Sequence, residues 1–323
     1  MAPHFLTLPG EIRNRIFEDV FTEPNGVVCV KTDKGVGVFY RYDDKMKQLH
    51  EKDAWDVATK VHKAQQENET ATGDASERPN KRRKLSLKDH NEDAIAFRET
   101  EANIHYELVN SLRLVNRQLC HETRNLVIRF NDIRFLGGHR TRLEVLANFL
   151  RSCSAVQRAQ IRGLTVGISA INLCKDAKNT GSSLEEINAF CTAYPKSIVT
   201  FREPAWTQKN AFFLFSALCI AVILDKGDEF AGKVMANDAA FAPILLASTL
   251  SVLMPTIDNH VQQLLVHRPC NVHIRPREET LDPDVFRKAM LREKKMAYII
   301  DRRLGGDLEC WVKLVQEIYD KGL

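Results

Sequence analysis

Residues Ala211 to Leu224 form an almost uninterrupted apolar run, and Ala239 to Met254 form a second. A segment without a polar face has two homes: inside a bilayer, or at the centre of a core with neighbours all round. Both runs fall short of the ~20 residues a bilayer span takes, and Pro243 interrupts the second. We therefore expect buried core helices, and the lengths argue against membrane insertion. Helices of this kind need a large body around them. A chain of 323 residues supplies one large core or two modest ones, because single cores stop growing near ~250–300 residues.

The opposite extreme lies at residues 67 to 93, where Leu85 and Leu87 are the only sizeable apolar side chains. Such a segment buries too little surface to offset its ordering entropy, and we expect a disordered insertion. Inside it, after Pro79, stands the basic cluster Lys81-Arg82-Arg83-Lys84. Adjacent cations on a flexible chain can each meet an acidic pocket, the pattern read by nuclear-import receptors, although a solvated charge run has the same composition. Ser86 has basic residues three and four positions before it, a basophilic kinase pattern, and phosphate there would oppose the cluster's charge.

Elsewhere the pattern is that of alternating helices and strands. Leu8, Ile12, Ile16 and Val20 form a helical stripe with Phe17 and Phe21 beside it, and Pro24 with Asn25-Gly26 ends the element. Val27 to Lys31 and Val36 to Tyr42 read as a hairpin, followed by a charged helix from Asp43 to about Gln66. Beyond the insertion we expect a helix ending near Phe130, a short strand at Ile133 to Leu136 and a helix from Thr141 to about Arg151. A strand over Ile161 to Ile168, a helix opening at Ser183 and a strand over Ser197 to Phe201 suggest a small βαβ-like unit. The two apolar runs, Ile257 to Val266, a helix capped by Asp282-Pro283 and reaching Ile300, and a last amphipathic helix bearing Trp311, Leu314 and Ile318 follow.

Leu8-Pro9-Gly10-Glu11-Ile12-Arg13-Asn14-Arg15-Ile16-Phe17 resembles the opening of the F-box. It is similar, more closely, to a group of filamentous-fungal proteins that begin L-P-x-E-I-R-N-x-I-[YF]. That group resumes after an insertion with L-x-x-x-C-R-Q-[IL]-x-x-E-[AT] and then N-x-F-x-F; here Leu112 to Thr123 and Asn131 to Phe135 stand at the matching places. The resemblance implies an adaptor whose first helix docks on the Skp subunit of cullin-RING ubiquitin ligases while the rest of the chain holds a protein target. Leu8, Pro9, Ile12 and Ile16 carry over as the partner-binding positions. A continuous F-box is a compact helical trio, whereas this sequence places a hairpin and the insertion between its first and later helices. The same stripe also suits packing against the chain's own body.

Other constellations carry less. His267-x-x-Cys270-x-x-His273 has metal-ligand types, but a second Cys/His pair is missing. His121-Glu122 lacks the second histidine of a metalloprotease helix, Gly35-Val36-Gly37 lacks the third glycine of a dinucleotide site, and neither G-x-x-x-x-G-K-[ST] nor G-x-S-x-G occurs. We thus expect no cofactor, no metal and no enzymatic activity. The eight cysteines form no C-x-x-C pair and mostly sit in apolar runs, which reads as buried free thiols in a reducing compartment. The first residues lack a basic segment followed by an apolar stretch, so secretion is not expected. A net charge of +4, and late-helix cations from Arg287 to Arg303 spread around rather than along one face, argue against nucleic acid.

The expectation is an α+β chain, predominantly helical, with F-box-like helices split by a hairpin and a disordered insertion, a small strand-helix-strand unit and a helical C-terminal half. Residues 1–205 form the first region and 206–323 a helical second region packed against it or separate from it. The leading reading is a non-enzymatic F-box-like interaction protein, nuclear or nucleocytoplasmic. The alternative is a structural or regulatory accessory of a fungal pathway, specialised metabolism included, whose first helix never meets a ligase.

Overall fold

The computed structural model describes residues 5, 8–31, 37–42, 123, 125–135, 141–168, 177–234, 257–293 and 308–323. The first helix, α1 (Gly10–Phe21), starts after Pro9, whose missing amide proton costs nothing there, with Glu11 at the positive end of the dipole. Gly26 then takes φ +77°, and a Cβ at that position would stand 2.5 Å from the Asp132 carbonyl oxygen. Only glycine lets the chain pass this close as it enters β1 (Val27–Lys31), which turns back into β2 (Gly37–Arg41). The hairpin is antiparallel with Val27 opposite Arg41, as its β-branched and aromatic run predicts.

After the hairpin come α2 (Leu126–Phe130), β3 (Ile133–Phe135), α3 (Thr141–Ser152), α4 (Ala155–Gln160) and β4 (Gly163–Gly167). Ser154 opens α4 with a reciprocal capping box to Gln157. The long α5 (Ala177–Ala193) leads to β5 (Ile198–Glu203), then α6 (Phe213–Ile223), α7 (Gly227–Val234), α8 (Asn259–Val266), β6 (Val272–Pro276), α9 (Pro283–Arg292) and α10 (Glu309–Lys321). Asp258 caps α8 and Asp282 caps α9, each through its carboxylate and two backbone amides.

Among the described residues six strands join one mixed sheet in the order β2-β1-β3-β4-β5-β6. Only the hairpin is antiparallel; β1, β3, β4, β5 and β6 run parallel. The parallel strands advance across the sheet in chain order. Right-handed crossovers then deliver successive helices to one and the same face, and α3 packs on α5, which packs on α8. That face carries Ile133 and Phe135, Leu164 and Val166, Val199 and Phe201, and Val272 and Ile274, all buried. Burying each such side chain stabilises the fold by about 1.5–3 kcal/mol relative to leaving it in water.

The chain is therefore a predominantly helical α/β protein, with more sheet than the sequence suggested. The expected strand-helix-strand unit is β4-α5-β5, but it is one step in a six-stranded sheet, and β6 was not expected at all. Residues 272–276 come from the stretch anticipated as helical, and they pair with β5 from Val199 opposite Val272 to Glu203 opposite Pro276. The two stretches 1–205 and 206–323 thus share one sheet. The α5 helix begins at Ala177 rather than Ser183, because Ser183 lies inside the helix and is buried. The apolar run is α6, buried on nearly every side, with Phe213 stacked on Tyr319 and edge-on to Phe286. Among the described residues no helix is long and apolar enough to cross a membrane. The second run, 239–254, the helix expected over 43–66, the insertion 67–93 and residues 294–300 lie outside the described residues.

Candidate interaction surfaces

The first helix divides its side chains between two faces. Phe17 and Phe21 are buried, with Phe5 edge-on to Phe17 at 5.5 Å. On a helix of 3.6 residues per turn they lie about 140° round from Ile12 and Ile16. Ile12 and Val20 are each 48% exposed, Leu8 and Ile16 are half-buried, and Pro9 is exposed. The stripe predicted from the sequence thus splits: the aromatic pair anchors the helix, while Ile12 and Val20 keep large apolar surface in water.

The anchor has a polar clamp. Asn131, 2% exposed, donates its amide to the Phe21 carbonyl at 2.7 Å and to the Val127 carbonyl at 3.0 Å, and its Oδ1 accepts from the Glu23 amide at 2.7 Å. One buried side chain so ties the end of α1 to α2 and satisfies backbone groups that no helix or strand would reach. Asn131 belongs to the second stretch of the family resemblance; nothing in its residue type disclosed this bridging position.

The second surface is the other side of the sheet. Register places Arg134, Thr165, Thr200 and His273 in one row and Gly167, Arg202 and Arg275 in the next. Here the alternation of strand side chains turns polar groups outward, and all these side chains except Gly167 are half-buried. Arg134 and Arg202 converge on the Oε1 of Glu279, at 2.8 and 3.7 Å. Arg134 also donates to the Asn25 carbonyl and lies 4.7 Å over the Tyr42 ring. Arg202 donates to the carbonyls of Pro276 and Glu278. Burial holds the Arg202 guanidinium below its ordinary range; Glu279 acts against this, and Arg134 and Arg275 add to it. His273 is likewise depressed, by burial first and then by Arg275 and Arg268.

Next to this surface, Glu278 accepts from the Tyr319 hydroxyl at 2.9 Å, and burial pushes its carboxyl above the usual range. A further cleft of about 500 Å³ lies between α7, α10 and the start of β6. Ion pairs of Lys233 with Glu229 and Glu317, and of Lys321 with Glu317, offset much of its charge.

Of the sequence-predicted positions, Leu8, Pro9, Ile12 and Ile16 are placed on α1 as above. Lys81, Arg82, Arg83, Lys84 and Ser86 lie outside the described residues. His267 and Cys270 are exposed, and among the described residues no cluster of His, Cys, Asp or Glu is arranged to hold a metal. Cys29, Cys153, Cys191 and Cys219 are buried free thiols, pushed by burial to about 12, 11, 12 and 12, so they stay protonated and unreactive. Cys270, against expectation, is exposed, because it sits in the turn before β6. Arg287 is held by Asp284 at 2.7 Å and by Glu309 at 2.9 Å.

The arginine row went unseen in the sequence. Its members stand at 134, 202 and 275, on three strands, and only the parallel register brings them to one face. No protein-family model, curated protein or solved structure matches the chain.

Proposed function

We propose that this chain is a non-enzymatic, F-box-like interaction protein that docks through the outer face of α1 and serves as a substrate adaptor of a cullin-RING ubiquitin ligase. The observation that carries the reading is that Ile12 and Val20 are each 48% exposed on a helix whose opposite face is anchored by Phe17 and Phe21. Single exposed apolar side chains are common on a helix, but on α1 two of them share one side with the half-buried Ile16 between them. A helix destined for a groove on a partner needs such side chains at i, i+4 and i+8. Leu8, Pro9, Ile12 and Ile16 are the positions that the F-box resemblance implies, and Val20 extends the stripe by one turn. The stripe alone is smaller than the ~1,000 Å² a specific interface takes, so the partner also covers neighbouring surface.

The partner is a Skp-type adaptor subunit, and the target is a protein held elsewhere on the chain. The basic cluster Lys81 to Lys84 serves an import receptor and makes the protein nuclear or nucleocytoplasmic. Replacing the four residues by alanine moves a fluorescent fusion to the cytoplasm on this reading, and an unchanged nuclear fraction refutes it. Phosphate on Ser86 weakens import, so Ser86→Ala and Ser86→Glu differ in nuclear fraction; equal fractions refute that. Docking is tested by co-purification of the chain with the Skp subunit, for wild type and for Ile12→Asp/Val20→Asp. Both substituted side chains point to water, so the variant keeps its fold and loses the partner.

A further inference from the structure

Among the described residues, the polar side of the sheet carries more arginine side chains than carboxylates that reach them. Arg134, Arg202 and Arg275 share the face, and the carboxylate that reaches into the row is Glu279, which touches the first two. Glu278 is occupied by the Tyr319 hydroxyl, and its burial favours the neutral form. Among the described residues no acceptor or carboxylate meets the Arg275 side chain, and its Nε is buried without a partner. A guanidinium taken part of the way out of water and left without an acceptor is costly, and it is a site for an acceptor that comes from outside.

The position of the row sharpens this. Arg202 and Arg275 are directly paired across adjacent parallel strands, about 4.8 Å apart at the backbone, with the small residues Thr165, Thr200 and Gly167 on the strands between Arg134 and Arg275. A planar guanidinium offers a two-pronged fork that fits the oxygens of a phosphate. Glu279 is 61% exposed, so its carboxylate lies where an incoming dianion can reach it and take its place between Arg134 and Arg202. The row is short and isolated, which suits one phosphate group rather than a nucleic-acid backbone with its repeated contacts.

We infer that the arginine row of β3, β5 and β6 binds a phosphorylated peptide segment of a partner protein, with the phosphate held by Arg202 between Arg134 and Arg275 and Glu279 as the internal competitor it displaces. The inference does not rest on docking by α1, since the elements differ and its test reads peptide binding alone.

The experiment is fluorescence polarisation of the full chain against a degenerate phosphoserine, phosphothreonine and phosphotyrosine peptide library and its unphosphorylated counterpart. Inorganic phosphate, anionic phospholipid vesicles and duplex DNA are the comparison probes. The inference predicts binding only to the phosphorylated library, at least about tenfold weaker for Arg275→Gln, as loss of a charge-assisted contact implies. It also predicts tighter binding by Glu279→Gln, whose competitor is neutralised. Among the described residues the Arg275 Nε has no hydrogen-bond partner to lose, and glutamine keeps the aliphatic stem that packs beside Gly322, so Arg275→Gln stays folded, which circular dichroism verifies. Equal binding of both libraries, no binding by either wild type or Glu279→Gln, or binding indifferent to Arg275→Gln overturns the inference. So does a preference for vesicles or DNA over the phosphorylated library. Inorganic phosphate competing at millimolar concentration supports it.

Discussion

Asn131→Ala removes all three bonds by which α1 is clamped to α2, and it does so at a position 2% exposed, where water cannot replace them. A net contribution of about 0.5–1.5 kcal/mol per hydrogen bond gives a loss of about 2–4 kcal/mol. With a urea slope of roughly 3 kcal/mol per molar for a chain of this size, the midpoint falls by about 1 M. Because Phe21 is anchored by the same clamp, Asn131→Ala and Phe21→Ala are expected to be non-additive by about 0.5 kcal/mol or more. Asn271 is the control. It ties the end of α5 to β5, donating to the Cys191, Tyr194 and Ser197 carbonyls, and is predicted to add to Asn131→Ala without coupling. The assay is urea unfolding followed by far-ultraviolet circular dichroism for the single and double variants. A loss under about 0.5 kcal/mol for Asn131→Ala, or strict additivity with Phe21→Ala, refutes the clamp.

Gly26→Ala is expected to destabilise by about 2 kcal/mol or more, because the positive φ is strained for an L side chain and the new methyl meets backbone at the Asp132 carbonyl; a thermal midpoint equal to wild type contradicts this. Glu278 gives a pH dependence of known sign. Its folded-state pKa is raised above the ordinary 4.5, chiefly by burial. The stability it contributes is full below 4.5 and is lost as pH rises through the raised value. Glu278→Gln flattens that part of the profile in urea midpoints measured across pH, and an unaltered slope refutes the assignment.

The parts of the fold legible in the sequence were those whose burial follows a local period. The hairpin, the β4-α5-β5 unit and the cap at Asp282 each carry their signature within a few residues. The α6 run was legible for the opposite reason: it has almost no polar face because nearly every side is buried. The parallel sheet as a whole was not legible, since β1 pairs with β3 from Val27 to Ile133 and β5 with β6 from Val199 to Val272, segments about 106 and 73 residues apart, which no local pattern records. β6 in particular alternates Val272, His273, Ile274 and Arg275, and its polar half drew attention as metal-ligand spacing instead of as the outer face of a strand. The same long-range register assembled the arginine row. On α1 the apolar stripe was legible, but one sequence period cannot divide Phe17 and Phe21, which turn inward, from Ile12 and Val20, which turn out.

Co-purification of the full chain with the Skp subunit tests the central proposal most directly, run beside Ile12→Asp/Val20→Asp. Circular dichroism and urea unfolding establish that the variant is folded. The account predicts a complex with wild type, lost in a variant whose unfolding midpoint is unchanged. A folded wild type that forms no complex, or a complex that survives both substitutions, contradicts it.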